Sequence, residues 1–258
     1  MFPFFFGIPR NPRLSSHFDS PECLLNLNLL IQVPLATLKC NPSGAPAILD
    51  AMIGMIEVEG IKHAETLWSA SPPLNEVRVL QRMWARAGVA SFPEGCDVRV
   101  VAGLLIVFLH ELPESVITAE VYDCFLAVQD CHDTNTKVRN LRHLYKNLAN
   151  VNRATLLRIS TMLRRFADAG TPEKSLAGVF GPLLIRTPPS MGMIRYFALP
   201  SITGSMEDMI INHESIASGL ISQRNNSEKI KKKPDLTMEV RSIDISTCNA
   251  TTNIVPEI

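Results

Sequence analysis

One segment of the chain is apolar nearly all round a helix, and this segment limits the folds that the sequence can adopt. It begins after Asp97, a residue type that caps helix N-termini, and continues to about His110, before Pro113. From Val100 to Leu109 almost every side chain is apolar. A helix without a polar face must be covered on all sides by other elements. We therefore predict that it lies at the centre of the fold.

The rest of the globular part has the periodicity of amphipathic helices. Apolar side chains recur every three or four residues, whereas the alternating pattern of β-strands is nearly absent. Proline and glycine residues separate these segments, and Asn75 is a candidate N-cap for one of them. The predicted helices lie at about residues 47–59, 75–87, 97–110, 118–129, 136–148, 150–167, 172–180 and 207–222. The pattern predicts an all-α bundle of about eight helices.

Composition divides the chain into three parts. Hydrophobic residues make up 46% of the 258 residues, which is enough for a sizeable core. We expect a flexible lead-in at residues 1–30, a globular domain at residues 31–222, and a disordered polar and basic tail at residues 223–258. The tail contains four lysines between positions 229 and 233, which we interpret as a solvated segment.

Several classes of function are disfavoured by composition and spacing. The formal net charge is zero, so we do not expect a nucleic-acid partner. The six cysteines form no CxxC pair, which disfavours a metal site and favours reduced thiols in the cytoplasm. No run of 18 apolar residues and no basic-then-apolar leader occurs. We expect a cytoplasmic protein without cofactor or bound metal, and peripheral attachment at membranes remains an alternative.

Four segments, in order, resemble the RhoGAP domain family. Residues 101–114 (VAGLLIVFLHELPE) resemble the family signature VAxLLKxFLRELPEP, and residues 176–186 (LAGVFGPLLIR) resemble NLAxVFGPxLLR. Residues 152–156 (NRATL) match a helix start of the family, and residues 33–35 (VPL) match its opening. Each motif alone could be a packing or helix-end pattern. Together they identify residues 31–222 as a RhoGAP-like domain.

The resemblance implies a small GTPase of the Rho, Rac or Cdc42 type as partner, and it also draws attention to a missing group. RhoGAP domains insert an arginine beside the bound nucleotide, from a GIFRVSG loop. The guanidinium stabilises charge on the phosphate oxygens in the transition state and is worth about 10³–10⁵ in rate. Counting back from the next helix places Ser69 at this position, whereas counting forward from Gly60 places Trp68 there. Neither is cationic, and Arg78 and Arg82 are expected to point elsewhere.

Three further positions depart from the family pattern. Ile106 replaces the lysine of LLK, His110 replaces the arginine of FLREL, and Ser175 replaces the asparagine of NLA. In the family these polar groups support the loop or contact the GTPase. We therefore predict a GTPase-binding face that includes Trp68, Ser69, Ile106, His110 and Ser175, with no catalytic residue and with loss of GTPase-activating catalysis.

Two other interpretations remain open. The first is an active GTPase-activating protein with a substitute for the arginine finger. The second is a scaffold that docks adaptor peptides or anionic membrane lipids, because residues 134–167 contain eight Lys and Arg residues and no acidic residue. A solvated helical face explains the same run equally simply. Residues 65–72 and 116–122 are also similar to the silent RhoGAP-like domain of Lowe-syndrome-type inositol polyphosphate 5-phosphatases, which serves as a docking module.

Overall fold

The computed structural model describes residues 33–87, 92–187 and 195–220, and within them the protein is a helical bundle. The helices are α1 (Ala47–Glu59), α2 (Ala64–Leu67), α3 (Leu74–Ala87), α4 (Val98–Glu111), α5 (Tyr122–Leu126), α6 (Thr134–Asn147), α7 (Asn150–Asp168), α8 (Glu173–Leu184) and α9 (Arg195–Ile211). Residues 213–220 are also helical. The β-type pairings of the described residues are two isolated bridges. The all-α prediction is confirmed.

The predicted central helix is α4. The Asp97 carboxylate accepts a hydrogen bond from the Arg99 amide at 2.8 Å and so caps its first turn. Its apolar side chains are buried almost without interruption from Val98 to Leu109. Helices α1, α3 and α8 pack around it. The prediction that this helix is central is confirmed, because its all-round apolar surface leaves no side that is stable in water.

The predicted boundaries hold for the long periodic helices and fail near the C-terminal end. Helix α7 ends close to its expected position, where Gly170 follows with a φ of +106°. Helix α9 begins at Arg195, about 12 residues before the expected start, and runs through Pro200. The apolar helix expected at residues 118–129 is a short 3-10 turn followed by α5. The cap expected at Asn75 is wrong, because the Pro73 carbonyl accepts the first amides of α3.

Two of the predicted segments cannot be compared with the structure. The lead-in at residues 1–30 and the tail at residues 223–258 lie outside the described residues. In the part of the chain that is described, no helix is long and apolar enough to cross a membrane.

Candidate functional site

The chain between α1 and α3 forms a compact loop on the surface of the bundle. A 3-10 turn at Gly60–His63 leads into the one-turn helix α2. A Cβ added at Gly60 would lie 2.8 Å from Leu67 Cδ2, so glycine allows α1 and α2 to pack closely at this turn. Residues 68–73 then cross to α3 without regular structure beyond one turn. We call residues 68–73 the finger loop, after the position that the family motif gives to it.

Trp68 anchors the start of the finger loop in the core. Its ring lies edge-on to Phe166 of α7 at 5.3 Å and to Phe180 of α8 at 4.9 Å between ring centroids. The residue is only 6% exposed, and its indole N–H is buried without a hydrogen-bond partner among the described residues. The indole therefore holds the loop by packing and not by a polar contact.

Ser69 follows immediately and is exposed. Its hydroxyl donates to the Thr66 carbonyl at 3.0 Å, and its amide donates to the same carbonyl at 3.2 Å. The side chain is thus folded back on the loop backbone. Of the two positions that the sequence offered for the finger residue, Trp68 lies in the core and Ser69 lies at the surface.

Pro72 anchors the other end of the finger loop against α4. A Cβ added at Gly103 would lie 2.5 Å from Pro72 Cβ and 2.8 Å from Val77 Cγ2. The absence of a side chain at Gly103 therefore allows the loop and the start of α3 to lie directly on α4. Residues 69–71, between the two anchors, are all exposed.

Helix α4 places two predicted contact residues on the face that begins under the loop. Ile106 and His110 follow Gly103 by three and seven residues, which is the spacing of one helical face. Ile106 is half-buried and packs against the core, whereas His110 is exposed in the last turn. No positive charge stands at position 106, so the middle of this face is apolar.

Ser175 lies on α8, which is bonded to the loop region. Ser175 is exposed in the first turn of α8. Just before this helix, the buried Thr171 hydroxyl donates to the Ala64 carbonyl of α2 at 2.7 Å. Phe180 in the middle of α8 contacts Trp68. The finger loop therefore contacts α4 through Pro72 and α8 through Phe180, and the segment before α8 is bonded to α2.

Arg78 contributes a positive charge near the end of α4, which the sequence did not indicate. Burial raises the pKa of the Glu111 carboxyl, and the positive charges of His110 and Arg78 act in the opposite direction. Arg78 is exposed on α3, and its charge reaches Glu111. Periodicity alone could not reveal this, because it depends on how α3 crosses α4.

A further contact joins the C-terminal ends of the two long motifs, residues 101–114 and 176–186. The motifs themselves did not reveal it. The Arg186 guanidinium donates to the carbonyls of Leu112 at 2.5 Å, Leu109 at 2.9 Å and His110 at 2.6 Å. Burial lowers the pKa of the Arg186 guanidinium. The carbonyls that end α4 are thereby bonded to the chain that leaves α8.

Most cationic side chains of the basic run at residues 134–167 bond to other groups of the same domain. Six of its eight cationic side chains contact partners: Lys137 with Asp208, Arg142 with the Ser215 carbonyl, Arg153 with Asn150, Arg158 with Asp50 and Glu57, Arg164 with Asp168, and Arg165 with Glu57. These contacts favour the interpretation as an ordinary helical surface over that of a free basic face.

Candidate metal ligands are scattered in the structure. Within the described ranges, no group of three or more His, Cys, Asp or Glu side chains could hold a metal ion.

The helical bundle resembles the folds of two solved structures. The structure of human Rho GTPase activating protein 15 superposes with a TM-score of 0.68 at 20% identity, covering 79% of this chain and 99% of that one. The BH domain from GRAF, the GTPase regulator associated with focal adhesion kinase, superposes with a TM-score of 0.58 at 21% identity, covering 68% of this chain and 95% of that one. At these identities the likeness concerns the fold alone.

Sequence comparison gives the family. The RhoGAP domain matches residues 46–189, which is more than half of the chain, and the chain belongs to this family. It is 31% identical over 148 residues to Rho GTPase-activating protein 24 of Homo sapiens, covering 55% of this chain and 20% of that protein. It is 37% identical over 94 residues to Rho GTPase-activating protein gacJJ of Dictyostelium discoideum, covering 35% of this chain and 11% of that protein. The chain thus spans a fifth or less of these relatives' length.

Proposed function

We propose that this protein binds a Rho-family small GTPase through the finger loop, α4 and the first turn of α8, and that it accelerates GTP hydrolysis little. The observation that carries the proposal is the exposed tip of the finger loop, where Ser69 stands between two intact anchors. The family membership and the names of the relatives, which describe Rho GTPase-activating proteins, support the class of partner.

The loss of catalysis follows from charge and reach. Phosphoryl transfer spreads negative charge over the γ-phosphate oxygens, and an arginine finger is worth about 10³–10⁵ in rate because it meets that charge with fixed N–H donors. A serine hydroxyl is neutral and much shorter than a guanidinium. The Ser69 hydroxyl is also bonded to the Thr66 carbonyl. It therefore supplies no comparable stabilisation of the transition state.

Binding does not require the missing cation. Polar contacts are available from the exposed loop tip, from His110 on α4 and from Ser175 on α8. The half-buried Ile106 offers an apolar contact. Trp68 contributes to this surface through the position of the loop, since its ring lies in the core. The cationic positions of the family motif are occupied here by residues other than lysine and arginine, so we expect the affinity for the GTPase to depend only weakly on salt.

Binding and single-turnover hydrolysis measured on the same proteins test this function. Rac, Cdc42 and RhoA loaded with a non-hydrolysable GTP analogue, or with GDP, are titrated with the full chain, and hydrolysis of GTP is followed separately. We expect saturable binding that favours the GTP-like state, with less than about tenfold acceleration. Acceleration on the 10³ scale of a true finger, or no binding to any of the three, would contradict the proposal.

Variants that introduce a negative charge locate the binding face. His110→Glu and Ser175→Glu replace exposed residues of the proposed face, and Lys146→Glu replaces an exposed residue on α6 as a matched control. We expect the first two variants to weaken GTPase binding and the control to leave it unchanged.

A second candidate is an active GTPase-activating protein that uses a substitute cation, and Arg78 is the residue that favours it. Arg78 is exposed, and its charge reaches the end of α4 that carries His110. If the unmodified protein accelerates hydrolysis strongly, Arg78→Gln should abolish the acceleration. Arg82→Gln, one turn further along the same exposed helix surface, is the control.

A further inference from the structure

Arg186 makes an unusual set of contacts with the last turn of α4. Its guanidinium donates three hydrogen bonds, at 2.5, 2.9 and 2.6 Å, to carbonyls that precede it by 74 to 77 residues. The last carbonyls of a helix have no partner within the helix, and the helix dipole places partial negative charge on them. A planar guanidinium satisfies several of these carbonyls at once and fixes their directions, which the ammonium group of a lysine does not do.

The contact fixes the part of α4 that carries His110. One of the three acceptors is the backbone carbonyl of His110 itself, and the other two, on Leu109 and Leu112, lie on either side of it. Arg186 is half-buried, and within the described residues it forms no ion pair with a carboxylate. Its charge is thus directed at the helix end.

The chain beyond α4 is held at separate points. The Ile117 amide donates to the Leu184 carbonyl at 2.8 Å, and the buried Asn152 amide group donates to the Val116 carbonyl at 3.0 Å. These bonds secure residues 116 and 117 independently of Arg186. A change at Arg186 should therefore loosen the last turn of α4 while the following segment stays docked.

We propose that Arg186 is a positioning residue for the partner-binding face: it orients the last turn of α4, and with it His110, toward the GTPase. The inference rests on the proposed function, because it assigns Arg186 a role in binding at that same face. Arg186 does not touch the partner. Its effect on affinity passes through the backbone of His110.

The test compares affinity with stability in Arg186→Gln, Arg186→Lys and a control, Arg158→Gln. Arg158 is also half-buried and also donates three hydrogen bonds, to Asp50 and Glu57, but it joins α7 to α1, and neither helix carries a predicted contact residue. All proteins are measured as full chains, well below their melting temperatures. The readouts are the Kd for GTP-analogue-loaded GTPase, the Tm, and amide hydrogen exchange along α4.

We expect Arg186→Gln to bind the GTPase about tenfold more weakly or worse, because binding must then order the loosened last turn of α4. Arg158→Gln should lower Tm yet keep its affinity within about threefold of the unmodified protein. Arg186→Lys retains a positive charge at the helix end, so it should keep most of the Tm while still losing affinity. If Arg186→Gln does not fold, the lysine variant decides the question.

The outcomes separate this inference from the function on which it rests. If the unmodified protein binds and both Arg186 variants bind as well as the Arg158 control, the positioning role is overturned and the proposed function stands. If the unmodified protein binds none of the GTPases, the proposed function fails. The positioning role toward a GTPase then fails with it, and faster exchange confined to the last turn of α4 would show only that Arg186 orders this turn.

Discussion

Trp68 and Ser69 are neighbours in the sequence but lie in opposite environments. The indole is packed between Phe166 and Phe180, whereas the serine is exposed. The sequence narrowed the finger position to these two residues, but it could not choose between them, because counting from either flanking helix gave a different answer. Trp68 is buried because it packs on the aromatic pair from α7 and α8, which lies about 100 residues away in the chain.

Replacement of Trp68 should separate packing from polar contact. Trp68→Ala removes a buried aromatic ring, and we expect it to cost about 3–5 kcal/mol of unfolding free energy. Trp68→Phe should cost less than about 1.5 kcal/mol, since the buried indole N–H has no partner among the described residues to lose. Urea unfolding followed by circular dichroism gives both values. A loss below about 1 kcal/mol in the alanine variant would show that the ring is not packed as described.

Gly103 provides a second test, through steric contact. A methyl group at this position would lie 2.5 Å from Pro72 Cβ, and a proline ring cannot move aside without moving the loop. We expect Gly103→Ala to destabilise the fold by about 1–3 kcal/mol. Gly178→Ala is the control, because nothing lies within 4 Å of its added Cβ, and in a helix alanine is favoured over glycine by about 0.5–1 kcal/mol. Equal stabilities for the two variants would contradict the close seating of Pro72 on α4.

At the scale of elements, α1 and α7 are joined by an ion-pair network. Arg158 donates to Asp50 at 2.7 Å and to both carboxylate oxygens of Glu57 at 2.7 and 2.9 Å, and Arg165 also contacts Glu57 at 2.9 Å. The hydrogen bond from Arg158 is the main cause that holds the pKa of Asp50 below its usual value. The network therefore makes the packing of the two helices sensitive to pH.

The sign of that dependence follows from the direction of the shift. A carboxyl whose pKa is depressed by folding stabilises the fold above its unfolded pKa, about 3.9 for Asp, and loses this contribution as the pH falls through the lower folded pKa. In Arg158→Met the pKa of Asp50 should return toward its usual value. We expect the Tm difference between the two proteins to be largest above about pH 5 and to narrow below about pH 4. A difference that stays constant with pH would argue against the network.

The helices differ in how well the sequence predicted them. Helices α4 and α7 carry long apolar patterns, bounded by an aspartate cap in the first case and a glycine in the second, and both were predicted nearly to their ends. Helix α9 contains Pro200 and has no sustained polar face, so local rules placed its start too late. Tertiary packing decides such a helix, since Ile202, Met206 and Met209 are buried against the rest of the bundle.

The candidate site was also predictable only in part, because tertiary contacts shape it. Motif order located the loop, α4 and Ser175 along the chain. Three further contacts join residues that lie far apart in sequence. They are the packing of Pro72 on Gly103, the aromatic packing of Trp68, and the hydrogen bonds from Arg186 to the end of α4. Nothing in local periodicity encodes these pairs, so they became visible only in the structure.

On the scale of the whole molecule, the charges do not favour a general polyanion as partner. The formal net charge is zero, and most cations of the basic run are bonded to groups of the same domain. The finger loop is fixed at both ends, and its exposed tip, residues 69–71, lacks a cation. On the function proposed above, the RhoGAP fold presents this loop to a GTPase without a catalytic arginine.

Single-turnover GTP hydrolysis with Ser69→Arg tests this central claim most directly. Ser71→Arg, which places the same charge two residues further along the exposed loop, is the matched control. If the anchors hold the loop as described, Ser69→Arg should accelerate hydrolysis by the bound Rho-family GTPase at least about tenfold, toward the 10³–10⁵ of a true finger. The unmodified protein and Ser71→Arg should remain near the intrinsic rate. Strong acceleration by the unmodified protein, or equal gains in the two arginine variants, would contradict the account.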